Sequence, residues 1–348
     1  MNPTAPPASV PASAQVTGIG HAPGHHGELL QGVFLDEAGR RVAGLVTLPL
    51  AGPGSRAVFV RRPGTAPEAL TVVPADRTKA AQAAALAVAE CARRTGLPPC
   101  GGELRLTGVL PVGLGMGSST SDVIAAVRAV ADAYGLRLAP ERVASLAVHA
   151  ERASDPLMLD GRPVLFAQRE GRVLEVLGPA LPPLVVVGCA LGGGAPVDTL
   201  ALPARRPDEA GAADVRAYAR LRTLLRRAVA TGDARLLGEV ATASARRGQE
   251  VLGHPEFDDL ARVARRAGAV GVQIAHSGAV AGVLFDPAVP GLRTRVHDCV
   301  RALDAHGIPA TRTFTTTSEE FLHGPAHGGG DRPSRPDTSR RPARLPAL

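Results

Sequence analysis

The 348-residue sequence has no tryptophan, two tyrosines, seven phenylalanines, four cysteines and a single lysine. With aromatics at 3%, few ring faces are available for stacking unpaired bases, which argues against a single-stranded nucleic-acid partner. The cysteines Cys91, Cys100, Cys189 and Cys299 form no CxxC pair, which argues against a structural zinc site. A chain this long does not depend on disulfides, so they read as reduced packing residues of a cytoplasmic protein. No apolar run approaches the roughly 20 residues that cross a bilayer. The longest, Leu181 to Leu191, is broken by Pro182, Pro183 and Gly188. Residues 1–16 carry neither a positive charge nor a continuous apolar block, unlike a secretory signal. No membrane partner is expected.

The one lysine, Lys79, stands in TKAAQAAA with no glycine-rich loop before it. This excludes a Walker A loop, whose lysine reaches the phosphates from beside its glycines, and equally a V-A-I-K strand lysine. A bound nucleoside triphosphate would have to be held mainly by backbone amides and a metal. The basic residues are otherwise arginine: Lys and Arg total 39 against 32 acidic residues, a formal net charge of +7. The excess is uneven, because the tail from Gly324 to Leu348 holds five arginines and two aspartates and so supplies +3. The arginine runs between 207 and 267 read as solvated helix faces rather than a nucleic-acid surface.

Hydrophobic residues at 45% and charged residues at 20% are ordinary for a globular chain, and the length suggests two domains or one large one. Residues 1–16 and 324–348 are rich in Pro, Gly, Ser and Arg without apolar periodicity, the pattern of disordered segments. Between them a boundary near residue 180 separates an N-terminal domain, 17–180, from a C-terminal domain, 181–323. The first opens on short strands broken by Gly, Pro and Asp: VTGIGHA, GELLQGVFL, RVAGLVTLPL, SRAVFVRR and ALTVVP. A helix from Asp76 to Thr95 follows, with Asp76 as N-cap and Gly96 and Pro98 as its stop. Then come a strand from Glu103 to Leu110 and a helix from near Ser118, in which Val123, Val127, Val130 and Tyr134 make one buried stripe. A helix opened by Pro140 and a hairpin about 169–171 complete the domain. The second reads as the strand LPPLVVVGCAL, helices from Pro207 to Ala267, a hairpin across His276 to Gly278, a helix near Val289 to His306 and a closing strand, ATRTFTTT.

The segment GVLPVGLGMGSSTSDVIAAV, residues 108–127, carries the most chemistry. A strand ends, Gly113, Gly115 and Gly117 alternate, and Ser118 and Ser119 lead into a helix. Backbone N–H groups can converge there on an anion at the positive end of the helix dipole, and the hydroxyls can add a metal or phosphate contact. The plainer alternative is a glycine-rich connector capped by Ser118. A dinucleotide GxGxxG is not met, because its third glycine falls at Ser118 or at Thr120.

Pro111 to Thr120, PVGLGMGSST, resembles the P-x-x-x-G-[LM]-G-S-S-[AT] phosphate loop of the GHMP kinases at every specified position. Pro23 to Gly32, PGHHGELLQG, resembles the shortened first motif, P-x-x-x-G-E-L-I-Q-G, of the L-threonine kinase branch. Ser118 to Asp122, SSTSD, is similar to its S-S-T-A-D. Ile274 to Gly278, IAHSG, with Gly282 beyond it, resembles the family's third motif. The resemblance covers about residues 17–320.

It implies an α+β, two-domain GHMP kinase fold, with an N-terminal domain like domain 2 of ribosomal protein S5 and a ferredoxin-like C-terminal domain. It implies ATP and Mg²⁺ as cofactors, a monomer or homodimer, and transfer of the γ-phosphoryl group to the hydroxyl of a hydroxy amino acid. L-threonine is the leading acceptor; L-serine, homoserine, another small alcohol or a catalytically silent nucleotide-binding homologue are the alternatives. Pro111, Gly113, Leu114, Gly115, Met116, Gly117, Ser118, Ser119 and Thr120 would surround the ATP phosphates, and Ser119 and Glu151 would hold Mg²⁺. Asp155 would orient or deprotonate the acceptor hydroxyl, although only Arg152, Ala153 and Ser154 separate it from Glu151. Before Pro156 it could instead be a turn residue, with Asp160 the competing carboxylate. Glu28 would bind the substrate amine or brace the site, and His276, Ser277 and Gly278 would close over the substrate. Asp122, in the first helical turn, and Asp198 and Thr199 are further candidates near the site. His25 and His26 read as partly exposed loop histidines.

Overall fold

A computed structural model describes residues 16–108, 117–192, 207–275 and 280–317. The opening strands are fewer and longer than the glycines and prolines suggest. One strand, β1 (Val16–Leu35), takes in both VTGIGHA and GELLQGVFL, and β2 (Arg41–Arg61) takes in RVAGLVTLPL and SRAVFVRR. They pair antiparallel, and Pro23, Gly24 and Gly27 sit where the register shifts, between Pro23 and His25, His25 and Glu28, and Glu28 and Leu30. Gly27 has φ +70°. An irregularity of this kind turns successive side chains out of strict alternation. As a result His25, His26, Glu28, Leu29 and Leu30 are all buried, so the two histidines are strand residues of the interior rather than partly exposed loop residues.

The chain continues through β3 (Thr71–Val73), α1 (Thr78–Thr95), β4 (Gly102–Gly108), α2 (Ser118–Ala133), α3 (Pro140–Glu151), a 3-10 turn (Pro156–Leu159) and the hairpin β5 (Val164–Ala167) and β6 (Arg172–Val176). Next come β7 (Val185–Ala190), α4 (Ala212–Thr231), α5 (Ala234–Leu252), α6 (Phe257–Arg266), β8 (Gly271–Ile274), β9 (Val280–Phe285), α7 (Leu292–Ala305) and β10 (Ala310–Thr315). The strands form one sheet in the order β10-β7-β9-β8-β1-β2-β4-β3, with β5 joined to β2 and β6 to β5. A single residue pair, Glu28 with Ile274, links β1 to β8. The bulged middle of β1 therefore lies where the strands of the two halves of the chain meet.

Helix α1 stops as its sequence dictates, with Gly96 left-handed and its N–H on Ala92 O. Its start differs: Arg77 occupies the N-cap position, no side chain caps it, and Asp76 instead accepts from Arg77 Nη1 at 3.0 Å. Helix α2 is buried on almost every side and not along one stripe, from Thr120 to Val127 and again at Ala129, Val130, Ala131 and Ala133. Its alanines let it lie between the β1–β2 hairpin and helices α1 and α3. The approach to β1 is close enough to demand glycine: a Cβ at Gly20 would fall 2.0 Å from Ala125 O. Gly20→Ala is accordingly expected to destabilise the fold by about 1–3 kcal/mol or more through overpacking, read as a lowered urea midpoint with an unchanged slope.

Apolar packing groups into three clusters. One joins α1, α2 and α3 to Ala57, Phe59, Leu104 and Leu106 of the sheet. A second combines Leu29, Leu30, Phe34, Val46 and Leu48 with Leu225, Leu237 and Val240 of α4 and α5. The third covers the other face of β7 and β9, where Val185, Val187 and Val283 meet Leu260, Val263 and Leu303 of α6 and α7. Among the described residues no helix is long and apolar enough to cross a membrane.

Candidate active site

The first turn of α2, the last turn of α3 and the bulge of β1 converge on one buried polar cluster. Gly117, with φ +67°, precedes α2, and no side chain caps the helix there. Ser118 is thus the first helical residue and not a cap, and the first turn carries no acidic residue, so no capping or acidic side chain of that turn offsets the positive helix end. Two hydrogen bonds through Ser121 fix this end: its Oγ donates to Ala22 O at 3.0 Å and accepts from Ser55 N at 2.9 Å.

Helix α3 ends on Glu151, and Arg152, left-handed at φ +68°, turns the chain so that Asp155 comes back toward α2. Thr120 Oγ1 donates to Glu151 Oε1 at 2.9 Å and approaches Asp155 Oδ2 at 3.4 Å. Ser119 Oγ donates to Glu151 Oε2 at 3.2 Å. The three-residue interval between Glu151 and Asp155 is thus long enough to bring both carboxylates against the same helix turn. Asp160, the competing carboxylate, pairs instead with Arg128 at 2.9 Å on the surface, its side chain 70% exposed.

From β1, His25 Nε2 lies 2.9 Å from Asp155 Oδ2, and His25 Nδ1 lies 3.9 Å from Glu28 Oε1. His25, Glu28 and Asp155 could in principle hold a metal. The two carboxylates, however, approach opposite nitrogens of the ring, and only Asp155 stands within hydrogen-bond distance. His26, on the other side of the strand, accepts at Nδ1 from Gln273 Nε2 at 2.7 Å and packs on Phe314. Burial, with the charge of His25 beside it, pushes its pKa down to about 3, so it is neutral.

Burial and the neighbouring Asp155 raise Glu151 to about 7, against which the Thr120 hydroxyl and Lys79 of α1 act only in part. This marks buried negative charge that the described cations neutralise incompletely. The donors around it, Ser119, Thr120, Glu151 and Asp155, are all oxygen, the set that a hard cation such as Mg²⁺ prefers.

Beside the helix start is a cavity of about 260 Å³ lined by Ser55, Pro74, Arg77, Gly108, Ser118 and Asp122 among others. Asp122 lies beyond the first turn of α2. Burial raises its pKa, opposed by the Ser55 hydroxyl and Arg77; Arg77 Nε stands 3.1 Å from its Oδ2. Arg77 is thus the cation that partners Asp122 beside the start of α2.

Of the residues singled out in the sequence, Ser119, Glu151, Asp155 and Glu28 come together with Thr120. Pro111, Gly113, Leu114, Gly115, Met116, Asp198, Thr199, His276, Ser277 and Gly278 lie outside the described residues, as do the two terminal segments. His25 was missed, its partner being 130 residues away. The available signal was two consecutive histidines inside an otherwise strand-like run.

Two family descriptions match the chain: "GHMP kinases N terminal domain" over residues 80–158 and "GHMP kinases C terminal" over residues 225–296. The L-threonine kinase of Citrobacter freundii is 29% identical over 178 residues, which is 51% of this chain and 60% of that protein, so the match spans less than two thirds of the relative's length. Among solved structures, the homoserine kinase of Cytophaga hutchinsonii superposes with a TM-score of 0.62 at 18% identity, covering 88% of this chain and 96% of that one. Streptococcus pneumoniae phosphomevalonate kinase gives a TM-score of 0.60 at 14% identity over 87% and 99% of the two chains. The two sequence models, one in each half of the chain, and the shared fold agree: the chain is similar to the GHMP kinases in both their N-terminal and their C-terminal domain.

Proposed function

We propose that the protein is an ATP-dependent kinase that phosphorylates the hydroxyl of a small hydroxy amino acid, L-threonine foremost, to give O-phospho-L-threonine and ADP. The observation that carries this reading is the buried cluster of Ser119, Thr120, Glu151 and Asp155 at the uncapped start of α2. The first-motif resemblance and the partial match to an L-threonine kinase favour threonine over other alcohols.

In this reading residues 111–120 hold the ATP phosphates through backbone amides at the helix end, and the cavity beside Ser118 and Arg77 takes the nucleoside. Ser119 and Glu151 hold Mg²⁺, which when bound neutralises charge on the phosphate oxygens. Asp155 accepts the proton of the acceptor hydroxyl; that oxygen bonds to the γ-phosphorus as the bond to the β–γ bridging oxygen breaks, and the electron pair leaves with ADP. Glu28, whose side chain is fully buried, braces the cluster. His276, Ser277 and Gly278 approach the acceptor. All four cysteines are unpaired and buried, which suits a reducing cytoplasm.

Incubation with MgATP and, separately, L-threonine, L-serine, homoserine and mevalonate, with mass spectrometry of the products, tests the substrate. Phosphothreonine in excess of every other product is the expected result. Turnover of mevalonate alone would remove the amino-acid reading, and ATP binding without any phosphorylated product would remove the enzyme.

A further inference from the structure

We infer that His25 is a positioning residue for phosphoryl transfer: through Nε2 it fixes the Asp155 carboxylate in the orientation that receives the acceptor proton. The inference rests on the reading of Asp155 as the acceptor-side base and goes beyond it by assigning the residue that aims this base.

Three features carry it. His25 is fully buried and its Nε2 lies 2.9 Å from Asp155 Oδ2, a distance typical of a charge-assisted hydrogen bond. An ionised carboxylate only accepts, so the proton of this contact resides on Nε2. Thr120 Oγ1 approaches the same oxygen at 3.4 Å. Both contacts therefore converge on Oδ2, which sets the plane of the carboxyl group and with it the direction of Oδ1.

The ring is itself constrained on both sides. Nδ1 faces Gly27 O at 3.4 Å and Glu28 Oε1 at 3.9 Å, both acceptors. Above it sits Gly117, where a Cβ would fall 2.2 Å from His25 Cδ2 and 2.5 Å from Nε2. The left-handed glycine that opens α2 thus leaves the space the imidazole fills. The bulge of β1 supplies the rest, because the shifts on either side of His25 bring its side chain to the cluster while that of its neighbour His26 meets Gln273 and Phe314. His25 therefore ties the glycine that opens α2 to the base, a second and shorter link beside the Thr120 contact from α2.

Two amides distinguish this role from simple filling of space. Glutamine places its N–H near the position of Nε2, toward Asp155, whereas asparagine places it near Nδ1, toward Gly27 and Glu28. Assayed with MgATP and L-threonine, His25→Gln is expected to keep kcat within about threefold. His25→Asn is expected to lower it about 10- to 100-fold, the worth of a hydrogen bond to a charged group. KM for ATP should stay within about twofold in both. Adding His25→Asn to Asp155→Asn should cost nothing more. Equal turnover of the two amide variants, a parallel rise in KM for ATP, or a fully additive loss in the double variant would overturn the inference and leave Asp155 as the base. Full turnover of Asp155→Asn alone would instead remove the base itself, and His25's role with it.

Discussion

Asp155→Asn is expected to lower kcat by about 100- to 10,000-fold, the range that a positioned general base contributes, while ATP binding changes little. The substitution is nearly isosteric, so the packing of the turn before Pro156 survives it. Its amide can still accept from His25 and Thr120 through one atom, and what disappears is the negative charge and the ability to take a proton. Phosphoryl transfer depends mainly on positioning and on neutralising charge, which places the effect in kcat and not in the affinity for the donor. Steady-state rates with L-threonine, set beside calorimetric binding of MgADP, separate the two. An unchanged kcat would mean that Asp155 is only the turn residue its Asp-Pro sequence also permits.

Much of this architecture was legible in the sequence, and the failures have a common cause. The helices announced themselves through local chemistry: Gly96 ends α1, Pro140 opens α3, and the alternating glycines lead into Ser118. The resemblance singled out Glu151 and Asp155 in spite of the three residues between them, and the structure brings both against one turn of α2 while Asp160 lies on the surface. What the sequence could not convey was register. Pro23, Gly24 and Gly27 read locally as strand breaks, yet pairing along β2 carries β1 through them as a bulged strand. Whether His25 is a loop residue or a buried partner of Asp155 depends on those shifts and on the arrival of α3. Likewise the four–three–four spacing in α2 reported one apolar face, but alanines and Gly20 let neighbours close on the others. Small residues reveal close approach only when both surfaces are known.

Glu151→Gln is expected to abolish metal-dependent turnover, by about 100-fold or more, and at the same time to stabilise the ligand-free protein at alkaline pH. The second effect follows from the sign of the pKa shift. Burial and the neighbouring Asp155 raise Glu151 from 4.5 to about 7, so between those values the native state holds a proton that the unfolded chain has released. Stability therefore falls as pH rises through this interval, by an amount on the order of 3 kcal/mol once the carboxylate is fully charged. Glutamine carries no charge at any pH and can still accept from Thr120. Its thermal midpoint should exceed that of the unsubstituted protein by several degrees at pH 8, and the two should converge toward pH 4.5, where Glu151 is protonated in the native state. A gain that persisted undiminished at pH 4.5 would mean that packing, not charge, separates the two proteins. A loss of stability at pH 8 would show that the carboxylate is already compensated in the ligand-free fold, leaving no electrostatic reason for a cation there. A divalent ion held by Ser119 and Glu151 reverses the same penalty, so added Mg²⁺ should raise the midpoint of the unsubstituted protein more than that of Glu151→Gln. The destabilised carboxylate and the proposed metal site are then one property measured in two ways.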